Sequence, residues 1–139
     1  MKKVFYNSWL AKHFLRGAHT ITIGPFVLSK YDVLPQSVIN HECVHSRQWI
    51  EMAVSSGIII WILMLVFKMS AWWMLLAAFA FYIWYVLEYL VRLCVLHKHH
   101  SAYKAISFEQ EARCSEQDDN YLENTRYFSW VRYLRKTAH

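Results

Sequence analysis

Residues 41–45 read His-Glu-Cys-Val-His. On a helix, positions four apart share one face, so the imidazoles of His41 and His45 can bind a single metal ion. Glu42, beside the first histidine, can then reach a water on that metal and serve as general base for hydrolysis. Two histidines do not complete a catalytic zinc site, which takes three protein ligands and keeps a fourth position open. Phe108-Glu109-Gln110-Glu111-Ala112 offers two carboxylates in a second expected helix. Residues two apart on a helix point about 200° apart, so only one of Glu109 and Glu111 can face the histidine pair.

The elements that must hold these groups follow from the breakers. Pro35 is the last proline, and Gly57 the only glycine after it, so more than a hundred residues run on without a helix breaker. The first helix is expected to begin near Asp32 or Leu34, with Pro35 in its opening turn where a missing N–H costs nothing, and to carry the motif. From Met52 to Phe67 sixteen residues pass without a charge, Lys68 and Ser70 mark a turn, and from Met69 to Leu87 nineteen more follow, the apolar character lasting to Leu96. A bilayer-spanning helix needs about 20 apolar residues. The expectation is a transmembrane helical hairpin over about 52–67 and 69–96. Ahead of it, Thr20-Ile21-Thr22-Ile23 alternates, Gly24-Pro25 breaks the run and Phe26-Val27-Leu28-Ser29 resumes it, which predicts a short strand or hairpin. The segment 1–16, with Phe5, Trp9 and Phe14 against Lys and Arg, predicts an amphipathic helix on the membrane surface, and residues 125–139 a basic aromatic one with Tyr127, Trp130, Val131 and Leu134 on one face. The fold class is therefore mainly α: one membrane-embedded domain over residues 1–139.

Composition supports this and excludes other classes. Hydrophobic residues make up 56% of the 139 and charged residues 18%, where a soluble domain usually carries about 25% charged. The net charge of +5 is unevenly spread: residues 54–97 hold only Lys68, Glu88 and Arg92. A nucleic-acid binder would show a basic stripe over a polar domain, so no nucleic-acid partner is expected. Basic groups on both sides of the hairpin and only Lys68 at its tip put both termini in the cytoplasm by the positive-inside rule. That describes an integral protein of the cell (inner) membrane with its site at the cytoplasmic surface. Cys43, Cys94 and Cys114 have no metal or disulfide spacing and read as small buried hydrophobes.

HExxH on one helix, an apolar hairpin and Phe-Glu-x-x-Ala on a later helix together resemble the integral-membrane gluzincin metallopeptidases, a group that includes the CAAX prenyl peptidases and the bacterial heat-shock membrane peptidase. The resemblance covers the order of elements over about residues 20–120, in a minimal form. It implies that zinc is the cofactor and that Glu109, the first residue of an ExxA run, is the third ligand, with Glu111 the alternative ligand or a supporting group. Arg113 stands where that family has Asp. The resemblance also implies a role for a strand ahead of the motif helix. Thr20, Ile21, Thr22 and Ile23, or Phe26–Ser29, would pair with an extended peptide substrate by strand addition.

Other polar groups are assigned more loosely. Arg126 and Tyr121 follow the metal motifs and are candidates to stabilise an oxyanion, as is His97 in the run His97-Lys98-His99-His100. That run also reads as a solvated basic cluster flanking the membrane. Glu88 and Arg92, four apart, read as an ion pair facing the bundle. The leading expectation is a zinc metalloendopeptidase acting on a peptide or membrane-protein substrate at the bilayer, with oligomers permitted. Two alternatives are a membrane di-iron desaturase or hydroxylase, for which HxxxH and HKHH would be histidine boxes, and a non-catalytic adaptor with a structural metal site.

Overall fold

The computed structural model describes residues 4–6 and 20–135. Three short strands come first: β1 (Val4–Phe5), β2 (Thr20–Ile23) and β3 (Phe26–Ser29). β2 and β3 form the expected hairpin, with Thr20 opposite Ser29 and Ile23 opposite Phe26. Gly24 takes φ +58° in the turn, a conformation open to glycine at no steric cost and suited to two-residue hairpin turns. β1 pairs in parallel with β3, so the sheet order is β1-β3-β2 and β2 is an edge strand. Val4 and Phe5 thus lie in a strand where the surface helix was expected, because β3 offers them backbone partners; Trp9 and Phe14 lie outside the described residues.

Helix α1 runs unbroken from Gln36 to Phe67. Its 32 residues make a rod of about 48 Å. It begins slightly later than expected: Pro35 is extended and precedes its first residue instead of lying in its opening turn, and Lys68 ends it in the left-handed region. The motif helix and the first apolar segment are therefore one element rather than two. A 3-10 turn, Ala71–Met74, leads into α2 (Leu75–Leu96). The two helices meet where Gly57 faces Ala77, with 3.7 Å between a Cβ at position 57 and that of Ala77. Both are long and apolar enough to cross a membrane, with only 6% and 11% of their most apolar windows buried in the protein.

Short helices α3 (His99–Ala105), α4 (Ser107–Cys114) and α5 (Tyr121–Asn124) follow, then a 3-10 turn, Ser129–Tyr133. The core joins Phe81 of α2, Ile106 and Phe108 to Trp130. Phe108 stacks on Phe81 and meets Trp130 edge-on at 4.8 and 4.7 Å between centroids. Residues 125–135 therefore do not form the expected interfacial helix. Trp130 is buried, and its indole N–H donates to Glu51 Oε2 at 3.2 Å, whereas Tyr127 and Val131 are exposed. Of the cysteines only Cys43 is buried, and no disulfide joins the three.

Glu88 and Arg92 pair at 3.2 Å and face inward. Glu88 also accepts from the backbone N–H of Ser107 at 2.9 Å and its hydroxyl at 2.6 Å. A carboxylate from α2 thereby satisfies an orphan donor at the start of α4. Arg92 donates to the carbonyl of Leu134 at 2.8 Å. The pair fastens both α4 and the C-terminal segment to α2.

Candidate metal centre

α1 brings His41 and His45 to one face, as their spacing requires, and α4 sets Glu109 against them. His45 Nε2 lies 3.1 Å from His41 Nε2 and 3.2 Å from Glu109 Oε1. His41 Nε2 is 3.6 Å from Glu109 Oε2. Ligand atoms about 2.0–2.1 Å from a tetrahedral zinc stand about 3.3 Å apart; the two Nε2 atoms match that spacing, as do His45 Nε2 and Glu109 Oε1, while His41 approaches the other carboxylate oxygen. Among the described residues this is the one group of three or more such side chains that could hold a metal ion.

Two further features mark the cluster as a ligand set. The other ring nitrogens are engaged: His41 Nδ1 donates to Glu116 Oε1 at 3.0 Å, and His45 Nδ1 to Gln48 Oε1 at 2.9 Å. Both Nε2 atoms are left facing the common centre, the arrangement in which outer partners orient metal-binding histidines. Glu109 is buried, and its Oε2 is a buried acceptor with no hydrogen-bond donor. Such an atom calls for an explanation in an ion or water, and a cation at the centre of the cluster supplies one.

Burial pushes the Glu109 carboxyl up. The hydrogen bond from His45, the charges of His45 and His41, and the Tyr85 hydroxyl outweigh this and bring it down to about 2. Arg113, at the position where the resembled family has Asp, reaches within 3.9 Å of Glu109 Oε2 and lies over the Tyr103 ring. Tyr85 donates to Glu109 Oε1 at 2.8 Å. Burial, together with the negative charge of the same carboxylate, raises the Tyr103 hydroxyl to about 12.

Glu42 lies beside the cluster, half-buried, where the Thr22 hydroxyl donates to its Oε2 at 2.5 Å. β2 thus runs along α1 at the motif, and its outer edge is unpaired among the described residues. β3 itself is paired on both sides and offers no free edge.

The other candidates lie elsewhere. Glu111 is buried but contacts Gln48 and not the histidines. Tyr121 donates to Glu111 Oε1 at 3.3 Å. Arg126 is exposed and lines a separate surface cavity with Tyr121, Asn124 and Tyr127. His97 is exposed in a left-handed conformation that ends α2. His99 pairs with Tyr89 at 2.7 Å. The structure brings none of Arg126, Tyr121 and His97 to the cluster; the groups in the place expected for them are Tyr85 and Tyr103. Sequence reasoning missed both, along with Gln48 and Glu116. Gln48 carried a legible signal, lying three residues after His45 and so on the same helical face.

No family model, curated protein or solved structure matches this chain.

Proposed function

We propose that the protein is a zinc-dependent membrane metallopeptidase of gluzincin type that hydrolyses peptide bonds at the cytoplasmic surface of the bilayer. The observation that carries this reading is the convergence of His41 Nε2, His45 Nε2 and the Glu109 carboxylate, with both Nδ1 atoms already engaged. His41, His45 and Glu109 would hold the ion. Zinc bound there supplies Lewis acidity, polarising a carbonyl and acidifying a water. Glu42 takes the proton of the attacking water and delivers it to the leaving amine. Thr22 occupies Glu42 Oε2, which directs the proton to Oε1 and holds the carboxylate steady. The edge of β2 that is unpaired among the described residues receives the substrate backbone in extended form, alongside the general base Glu42.

The membrane setting draws on the two apolar helices. A helix in the core of a soluble domain would be mostly buried, yet the apolar windows here are 6% and 11% buried. Ile58, Ile59, Trp61, Leu65, Val66 and Trp72 are all largely exposed, which water would penalise and lipid would not. The flanking basic residues support a cytoplasmic location for both termini by the positive-inside rule.

The test is to purify the full chain in detergent, measure its zinc content, and incubate it with a library of peptides. One zinc per chain, lost in His41→Ala, together with cleavage lost in Glu42→Gln, is the expected result. A parent that binds zinc and cleaves nothing would leave a structural metal site. Two irons per chain would instead favour the oxygenase class.

A further inference from the structure

We infer that Gln48 and Glu111 are positioning residues that fix the tautomer of His45, so that its Nε2 lone pair faces the metal. The inference rests on the reading of the cluster as a metal centre and extends it to groups that do not touch the ion.

The argument turns on which way the Gln48 amide points. Its side chain is buried, so each of its polar atoms needs a partner of the right kind. Three partners surround it. The Phe108 carbonyl lies 3.2 Å from Nε2, and Glu111 Oε2 lies 2.8 Å from Nε2. His45 Nδ1 lies 2.9 Å from Oε1. A carbonyl can only accept. Glu111 accepts as well, since Tyr121 donates to its other oxygen. Both amide hydrogens of Gln48 are thereby claimed. A flipped amide would set its oxygen against a carbonyl and a carboxylate at once. The amide oxygen must therefore face His45, and a carbonyl-type oxygen there requires a proton on Nδ1. A neutral imidazole with hydrogen on Nδ1 has its lone pair on Nε2, the atom that points at His41 and Glu109.

The source of this constraint is α4. Phe108 and Glu111 flank Glu109 on the same short helix, so one element delivers a ligand and also sets the tautomer of another. This gives both carboxylates of the Glu-Gln-Glu run a task, while Gln110 turns away to the Ala105 carbonyl. His41 is held differently, by the carboxylate of Glu116, whose side chain is 41% exposed. A carboxylate in water can be replaced by water; a buried amide cannot.

The experiment uses the full chain in detergent micelles, Zn²⁺ as the only probe, and competition with a chromogenic chelator. Gln48→Met keeps the length of the side chain and removes the amide. Because that leaves Glu111 Oε2 without its donor, the double change Gln48→Met with Glu111→Met is made alongside it. Removing both partners together avoids an orphaned buried acceptor. Zn²⁺ affinity is expected to fall about 10–100-fold in both, and to stay near the parent value in Glu111→Gln, whose amide oxygen can still accept from Gln48. The second readout is nitrogen NMR of the histidine rings without metal, at a pH alkaline enough for the rings to be neutral. His45 should carry its proton on Nδ1 in the parent and in Glu111→Gln, and show both tautomers in the Met variants. A folded double variant with parental Zn²⁺ affinity and an unchanged His45 tautomer overturns the inference. A parent that binds no Zn²⁺ but loses its His45 tautomer in the Met variants overturns the metal reading and leaves this one standing.

Discussion

Tyr85, midway along the second apolar helix, donates its hydroxyl to Glu109 Oε1 at 2.8 Å. The contact ties the carboxylate of the candidate metal centre to a helix long enough to cross a membrane. Removing the hydroxyl in Tyr85→Phe frees Glu109 on that side without changing ring packing against Phe81 and Phe108. Zinc affinity is expected to drop about tenfold, within the range for loss of an outer hydrogen bond to a ligand. Chelator competition measures it, and an unchanged affinity would detach Tyr85 from the site.

Glu42→Gln should retain zinc, because Glu42 is not among the converging ligands. Hydrolysis of a cleaved peptide is expected to fall about 10²–10⁴-fold with loss of the general base. Equal cleavage rates for variant and parent would falsify the proposed proton transfer.

Tags fused at Met1 and His139 are both expected in the cytoplasm, and a single cysteine at Ser70, in a background without the other three, should react only with reagent added from the opposite side. Termini found on opposite sides would mean one span, and would place the bilayer between the two motifs.

Glu88→Ala removes two hydrogen bonds at the start of α4 and takes the carboxylate partner from Arg92, whose side chain is 13% exposed. Breaking one member of a buried pair costs about 3–5 kcal/mol. A clearly lower thermal midpoint in detergent is expected, with zinc affinity falling alongside because α4 carries Glu109. An unaltered midpoint would show that the ion pair fastens nothing.

Acid should act on the metal-free chain through Glu109. Its folded carboxyl is held at about 2, below its ordinary 4.5. A lowered value means stability that is complete above 4.5 and is lost as pH falls toward 2, because the unfolded chain takes up the proton first. The fraction folded, followed by circular dichroism over that window, should decline less steeply in Glu109→Gln than in the parent. Identical slopes would mean that the histidines do not stabilise the carboxylate.

Much of this architecture could be read from particular residues. His41 and His45 declare themselves because helical neighbours recur every four positions, and the β2–β3 hairpin because Gly24-Pro25 interrupts an alternating run. The long apolar helices follow from the absence of breakers after Pro35, although no local signal said that motif and span would fuse, since nothing stops a helix at Glu51 or Met52. What escaped depends on distant partners. Tyr85 is one of nine tyrosines, and only the fold places it beside a residue 24 positions on. Trp130 sits on an aromatic stripe that suits a membrane surface equally well, yet Glu51, far away in sequence, accepts its N–H and draws it inside. The loop holding Glu116 is likewise set by Asn40, which donates to Asp119 at 2.7 Å.

Because α1 is one continuous helix from the motif to the hairpin tip, it works as a ruler. Seven residues separate His45 from Met52, where the uncharged stretch begins, a rise of about 10 Å. The height of the cluster above the hydrocarbon is thus written into the chain as a residue count. Adding one residue after Gln48 would move the cluster by about 1.5 Å and turn it by about 100° relative to the lipid-facing surface. Under the proposed function, bonds held far from the bilayer would lie out of range, and those a few residues beyond a substrate's own span would arrive at the right altitude.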